Sequence, residues 1–390
     1  MRKLSADYIF PVSSSPIKNG VVEVDEDGKI ISLAATLPQE KRDVEFHKGI
    51  IVPGFVNTHC HLELANLKGQ IREHQSLTGF ISELVPKRKQ FSEEQIQAAV
   101  VSADEEMLRN GIVAVGDISN TDHSFEQKAK SKIVYHTFIE TFDLIAEKAE
   151  EKFSEARALQ SKLKKGNSSI VPHATYSVSG MLMEFIDRLK QPLVSIHNQE
   201  TASENELFIS GSGALAELMQ KAGVDIDAKR REKNPLLFIL GRLIESEKIL
   251  LVHNTFSAKA DLDWLNLDFR NQNSEFFLCL CPNANLHIEN RLPDIPLFVE
   301  SGRKITIGTD SYASNKSLSV LDELKTIHKH FPKISFEIIL QWATKNGAEF
   351  LGMEKQLGTI EKGKKPGLNL LTGMNEKFEL SEKISVQKLI

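Results

Sequence analysis

Eight short apolar runs alternating with stretches of helical period predict an α/β fold: a (β/α)8 TIM-like barrel with a small β-sandwich domain built from both chain termini. Three observations carry this reading. The runs are rich in Val, Ile, Leu and Phe and end at polar, Gly or Pro residues, as strands buried on both faces should. Apolar residues recur with helical spacing between them. The two chain ends break the alternation and read instead as isolated β segments.

In chain order the expected strands are residues 51–57, 112–118, 133–138, 169–172, 193–196, 248–252, 276–280 and 304–307. Helices are expected over 93–110, 147–165, 182–190, 214–222 and 321–330. Near the N-terminus, Val21-Val22-Glu23-Val24 and Ile30-Ile31-Ser32-Leu33 flank a Gly-containing turn, which is a hairpin pattern. Residues 358–360 and 368–371 are strand-like again. The domain division is therefore residues 1–50 plus 356–390 for the small β domain and 51–355 for the barrel.

Composition excludes several function classes. Lys+Arg is 48 against Asp+Glu 53, a formal charge of −5, so there is no electrostatic footprint for nucleic acid or an anionic membrane. The basic clusters Lys87-Arg88-Lys89 and Lys229-Arg230-Arg231 read as solvated helix faces. No apolar run approaches a membrane span, and no apolar segment follows Met1-Arg2-Lys3, which predicts a cytoplasmic protein. The cysteines Cys60, Cys279 and Cys281 suit a reducing compartment. Cys279 and Cys281 read as alternate side chains of one buried strand, because no second cysteine pair accompanies them.

Polar residues fall at the ends of the expected strands. His59 and His61 follow the first, His173 ends the fourth, His197 the fifth and His253 the sixth, while Asp310 follows the eighth. Active sites of such barrels lie at the C-terminal strand ends. The chain has only 12 histidines, so this concentration is hard to assign to packing. Residues i and i+2 of a strand share a face, so His59 and His61 aim together into the barrel mouth. Another histidine and a carboxylate complete an open divalent-metal site, and His197 and Asp310 are the candidates. Coordination lowers the pKa of water from about 15.7 to about 7. Glu200, where the chain curls after the fifth strand, is placed to move a proton from that water to a leaving group. The structural alternative is a Glu stabilising a helix N-terminus. His253 is either a fourth metal neighbour or a hydrogen-bond donor to the developing tetrahedral centre, and the second role is favoured. His173 reads as a substrate contact or a hydrogen-bonded structural histidine. His74, His123, His287, His328 and His330 read as ordinary surface residues; His47 and His136 carry no assignment.

The stretch Ile51-Val52-Pro53-Gly54-Phe55-Val56-Asn57-Thr58-His59-Cys60-His61-Leu62-Glu63 resembles the first-strand signature of the amidohydrolase superfamily. Ser195-Ile196-His197-Asn198-Gln199-Glu200, Val252-His253-Asn254-Thr255, Cys281-Pro282-Asn283-Ala284-Asn285 and Gly308-Thr309-Asp310-Ser311 resemble its later ones, so the likeness spans nearly the whole chain. It implies one divalent metal ion, Zn2+ or Fe2+, held by His59, His61, His197 and Asp310, with Glu200, His253 and Asp310 as the catalytic group. His173 stands where the binuclear branch carries a bridging lysine, which points to the mononuclear deaminases and chlorohydrolases. Substrate contacts are implied at Glu63, His173, Asn285 and Ser311. The implied reaction is attack of activated water on a ring carbon of an aminated N-heterocycle, with ammonia leaving. Residues 171–179 and 61–64 look most like deaminases of adenosine derivatives such as aminodeoxyfutalosine or S-adenosylhomocysteine. A late turn departs from the relatives, reading Lys364-Lys365-Pro366-Gly367, but it belongs to the small domain. The segment 201–247, with Gly211-Ser212-Gly213, is a lid candidate. The expected partner is a small-molecule substrate, with a homodimer left open. Two other readings remain: a hydrolytic dehalogenase or amidase on the same site, and an inactive barrel serving as a binding module.

Overall fold

The computed structural model describes residues 1–35, 44–164, 166–267 and 274–390. Eight parallel strands form its centre, in two four-stranded sheets. The first sheet runs β1 (Phe55–Cys60), β2 (Ile112–Ser119), β3 (Val134–Thr141) and β4 (Asn167–Pro172). The second runs β5 (Leu193–Asn198), β6 (Lys248–His253), β7 (Glu275–Leu280) and β8 (Lys304–Ile307). Every residue of β1 and β5 is buried, which explains why they read as continuous apolar runs rather than alternating ones. The sheets touch at both seams. Parallel bridges pair Ala174 with His197 and Cys60 with Asp310. The His197 amide donates to His173 O at 3.0 Å, and the Thr309 amide to His59 O at 3.0 Å.

Helices fill the intervals much as the periodicity predicts, at Glu93–Arg109, Ala149–Ser161, Gly180–Asp187, Ala214–Lys221 and Val320–His330. Lys165, the end of one expected helix, lies outside the described residues. Helix Glu93–Arg109 starts where it does because Ser92 and Gln95 form a reciprocal capping box. The segment after β5 holds four short helices, Ala202–Ser210, Ala214–Lys221, Ile226–Arg231 and Pro235–Leu240. Here the basic cluster departs from expectation. Lys229 is buried, and its Nζ donates to Thr175 O at 2.6 Å and to Val178 O.

The chain ends join in one seven-stranded sheet, where two facing layers were expected. Strand Val44–Pro53 pairs with Arg2–Ile9 in parallel and with Leu368–Thr372 antiparallel, so the N- and C-terminal pieces meet edge to edge. The predicted hairpin is present, Val21–Val24 against Ile30–Ala34. Residues 358–360 are not a strand, and the last strand is Ser385–Lys388. Side chains alternate across the sheet with period two. Ile51 packs with Leu4, Ile9, Val22 and Leu368, whereas Ile50 and Val52 join the main core.

The first expected strand, 51–57, is two strands in reality. Val44–Pro53 belongs to the terminal sheet, and β1 starts at Phe55. Gly54 separates them: a Cβ there would lie 2.3 Å from Val113 Cγ1 and 2.7 Å from Pro366 O. Only glycine allows the chain to cross from one sheet to the other so closely.

Candidate metal centre

His59 and His61 occupy the end of β1 and the position just beyond it, and their Nε2 atoms lie 3.2 Å apart. Asp310 Oδ1 is 3.6 Å from His59 Nε2 and 3.4 Å from His61 Nε2. The potential ligand atoms of His59, His61 and Asp310 lie within 4.8 Å of one another, as do those of His59, His197 and His253. The five residues named from the sequence as metal ligands or their neighbour therefore converge on one point at the C-terminal strand ends.

Hydrogen bonds fix which nitrogen of each ring faces that point. His197 Nδ1 lies 2.8 Å from His173 O, so it carries the proton and leaves Nε2 as a free donor atom. His253 Nδ1 lies 2.9 Å from Asn285 Oδ1, and its Nε2 is 3.6 Å from Glu200 Oε1. Asp310 Oδ2 accepts a hydrogen bond from Ser314 Oγ.

The backbone is bent to achieve this. Gln199, His253 and Asp310 lie in the left-handed region, with φ of 46°, 71° and 56°. Such conformations cost about 1–3 kcal/mol each for residues with a Cβ and cluster at functional sites. The turn at Gln199 brings Glu200 round to face His253. It is held by the Gln199 side chain, bonded to Asn205 and Asp261 at 3.1 Å each and to Ser257 at 2.6 Å.

Burial lowers the pKa of His59, His61 and His197, which keeps these imidazoles neutral. Burial alone would raise Asp310, but its hydrogen bond to His59 and the surrounding imidazoles hold it well below the usual carboxylate range. Neutral imidazoles beside an ionised carboxylate are the protonation states a metal requires of its ligands. Three nitrogens and one oxygen, gathered in a buried pocket, fit Zn2+ or Fe2+ in chemistry and number. Glu200 differs, because burial pushes it up to about 7. For His253 burial acts downward, and the charges of Glu200 and Asp310 outweigh it and raise the ring.

The four residues expected to touch substrate are placed unequally. His173 stands beside the centre, its ring 5.0 Å from that of His197, with Nδ1 held by Ser177 Oγ at 2.7 Å and its pKa brought down to about 4 by burial. Asn285 holds His253, and its Nδ2 has no partner among the described residues. Ser311 Oγ accepts from the Ala313 amide at 3.2 Å. Glu63 has both oxygens engaged by protein: Oε1 by Arg88, and Oε2 by the Asn120 and Thr121 amides and the Thr121 hydroxyl, at 2.7–3.1 Å. It braces the turn after His61 against the loop after β2.

Several residues went unnoticed in the sequence. Glu140, near the end of β3, is buried with its pKa pushed up to about 8 by burial, and its Oε1 lies 3.6 Å from His197 Nδ1. The expected strand stopped at residue 138, three short of the observed end, so Glu140 was not seen as a strand-end residue. Asp117, at the corresponding end of β2, accepts from the Leu62 amide at 2.7 Å and pairs with buried Lys128. His287 is half-buried rather than an ordinary surface residue. It lines a cavity of about 290 Å³ with His74 and Ser314, and its Nε2 has no partner among the described residues. His136 is buried in mid-strand and bonded to Ser169 Oγ at 3.0 Å.

Residues 50–389 match the amidohydrolase family. The chain belongs to that family. As a member it is a hydrolase of carbon–nitrogen bonds. Among its relatives, an adenosine deaminase of Helicobacter pylori is 29% identical over 372 residues, covering 92% of this chain and 87% of the relative. Among solved structures, the aminofutalosine deaminase of Helicobacter pylori with methylthio-coformycin superposes with a TM-score of 0.77 at 23% identity, covering 97% of this chain and 93% of that one. An adenosine deaminase of Xanthomonas campestris with bound zinc superposes with a TM-score of 0.71 at 21% identity, over 95% and 84% of the two chains. The relatives act on small molecules, and among the described residues no helix is long and apolar enough to cross a membrane.

Proposed function

We propose that this amidohydrolase is a metal-dependent deaminase that releases ammonia from an adenosine-type nucleoside. The observation that carries the reading is the convergence of His59, His61, His197 and Asp310 on one point, with the Glu200–His253 pair alongside. The deaminase names of the relatives support the leaving group and the adenosine ring. The metal is Zn2+ on this reading, held by those four residues. When bound, such an ion supplies the Lewis acidity that makes water a nucleophile at neutral pH.

The chain's own residues supply the rest. Glu200 accepts one proton from the attacking water and passes it to the ring nitrogen, then carries the second, from the hydroxyl of the adduct, to the amine that departs as ammonia, a task suited to a carboxyl whose pKa lies near 7. His253, fixed by Asn285, donates from Nε2 to the oxygen that adds to the ring carbon. Asp310 orients the water, with its own second oxygen tied to Ser314. His173 contacts the heterocycle, Asn285 and Ser311 line the pocket, and Glu63 shapes it through the loop it braces. We further read the two four-stranded sheets as one closed (β/α)8 barrel on the strength of the two bridged seams, with the terminal segments as the small domain and the first boundary at Gly54 rather than at residue 50, because Val44–Pro53 pairs in the terminal sheet.

The test is ammonia release across adenosine, its 5′-substituted derivatives, guanine and cytosine, using protein of measured zinc content. Release from adenosine-type nucleosides is expected. No release from any of them, or chloride release from a chlorinated triazine in its place, would overturn the reading.

A further inference from the structure

One buried carboxylate beside the centre has no part in the chemistry described above. Glu140 Oε2 is held by Asn120 Nδ2 at 2.9 Å, which fixes the side chain. Its Oε1 is buried and has no hydrogen-bond partner among the described residues. That atom sits 3.6 Å from His197 Nδ1, whose proton already goes to His173 O, and a carboxylate oxygen of Glu140 lies within 4.8 Å of a ring nitrogen of His173. Phe142 follows just past the end of β3. Its ring is 41% exposed and 5.9 Å from that of His173. The wall made by the ends of β3 and β4 thus presents one acceptor without a donor, one imidazole and one open aromatic face.

A buried acceptor with no donor is rare in folded proteins and points to a partner that arrives from outside. Such a partner must donate a hydrogen bond. The ring nitrogens that an adenine-type base offers at its edges are mostly acceptors. Its exocyclic amine has to face Glu200 and His253, whereas Glu140 lies at Nδ1 of His197, the ring nitrogen bonded to His173 O rather than the one left free as a ligand. The donors left on a nucleoside are its sugar hydroxyls. We propose that Glu140 is a specificity-determining residue that accepts a hydrogen bond from a sugar hydroxyl of the substrate. The proposal rests on the deaminase reading and adds to it a choice of ribonucleoside over free base or deoxynucleoside.

The experiment is a cycle on the full-length, zinc-loaded protein. Wild type, Glu140→Ala and the isosteric Glu140→Gln are each assayed with adenosine, 2′-deoxyadenosine and 3′-deoxyadenosine, and the zinc content of each is measured. Losing a hydrogen bond to a buried carboxyl held largely neutral at pH 7 predicts a drop of about 5- to 10-fold in kcat/KM for Glu140→Ala on adenosine, carried mainly by KM. With the deoxy substrate that lacks the partner hydroxyl, the drop should shrink to about twofold. Glu140→Gln, which keeps an acceptor and the shape, should fall between. An equal loss on all three substrates, or loss of zinc from either variant, would overturn the proposal, because Glu140 would then act through His197. Calorimetric binding of inosine and its deoxy analogues, which undergo no turnover, reads the same cycle separately. If wild type released ammonia from none of the three substrates, the deaminase reading would fail, while discrimination among the inosines would still decide the role of Glu140.

Discussion

Glu200 and Asp310 are both buried carboxylates beside imidazoles, yet burial wins at one and the neighbours win at the other. Glu200 faces a single ring nitrogen at 3.6 Å and is pushed up to about 7. Asp310 faces two, accepts from Ser314 as well, and is driven down. That contrast separates a proton carrier from a ligand, and substitution should separate them too. Glu200→Gln should keep zinc and lose about 10²- to 10⁴-fold in kcat. His59→Ala or Asp310→Ala should lose the metal itself, measured as zinc per chain after gel filtration. A Glu200→Gln enzyme with near-normal kcat would remove Glu200 from the chemistry. The histidines and Asp310 were legible because they follow apolar runs in a chain with few histidines. What fixes their tautomers was not, since it depends on a carbonyl of His173 and on Asn285, contacts made only by folding. Glu140 was hidden by an expected strand three residues too short. The left-handed conformations of Gln199, His253 and Asp310 have no signature in side chains that bear a Cβ.

Among the elements, the helix Ile226–Arg231 and the loop that follows β4 are joined by one buried cation. Lys229 Nζ bonds two carbonyls of the loop that carries His173, and burial pushes its pKa down to about 7 against the attraction of Asp143. The sign of the pH effect follows from the unfolded value of about 10.4. Between about pH 7 and pH 10 the unfolded chain keeps the proton and the folded chain does not, so stability rises with pH through that window. The slope has an upper bound of about 1.4 kcal/mol per pH unit. Lys229→Met removes it, so the stability of wild type relative to Lys229→Met should grow between pH 7 and pH 9 in urea unfolding. Parallel curves for the two proteins would show that Lys229 stays charged when folded. Sequence reasoning had put this lysine on a solvated face, because a run of three basic residues carries no mark of which one turns inward. Helix positions were legible from periodicity. The split of the first strand at Gly54 was not, because the apolar run continues through it and only the contacts with Val113 and Pro366 require the break.

At the scale of the whole molecule the candidate ligands do not belong to one sheet. His59 and His61 come from the first four-stranded sheet and its end, while His197 and Asp310 come from the second sheet and its end. They lie at the two seams where those sheets meet, beside the Cys60–Asp310 and Ala174–His197 bridges. A cation held by all four would tie both seams at once. The terminal sheet gains nothing from it, since its central pairing, of Val44–Pro53 with Arg2–Ile9 on one edge and Leu368–Thr372 on the other, includes none of the four residues. That pairing joins residues from opposite ends of the chain, which is also why local patterns in the sequence could not reveal it. Chelating the metal should therefore weaken the molecule unevenly. At a metal concentration about 100 times its Kd the bound form is favoured by about 2.7 kcal/mol, so removal should lower Tm by several degrees. In hydrogen exchange, the amides of His197, Thr309 and Asp310, which cross the seams to His173 and His59, should lose protection first. The amides between β6 and β7, and those of the terminal sheet, should keep theirs. Adding back zinc should restore the seam amides and Tm together. A uniform loss of protection, or none, would show that the seams hold without the ion and that the ligand cluster serves chemistry alone.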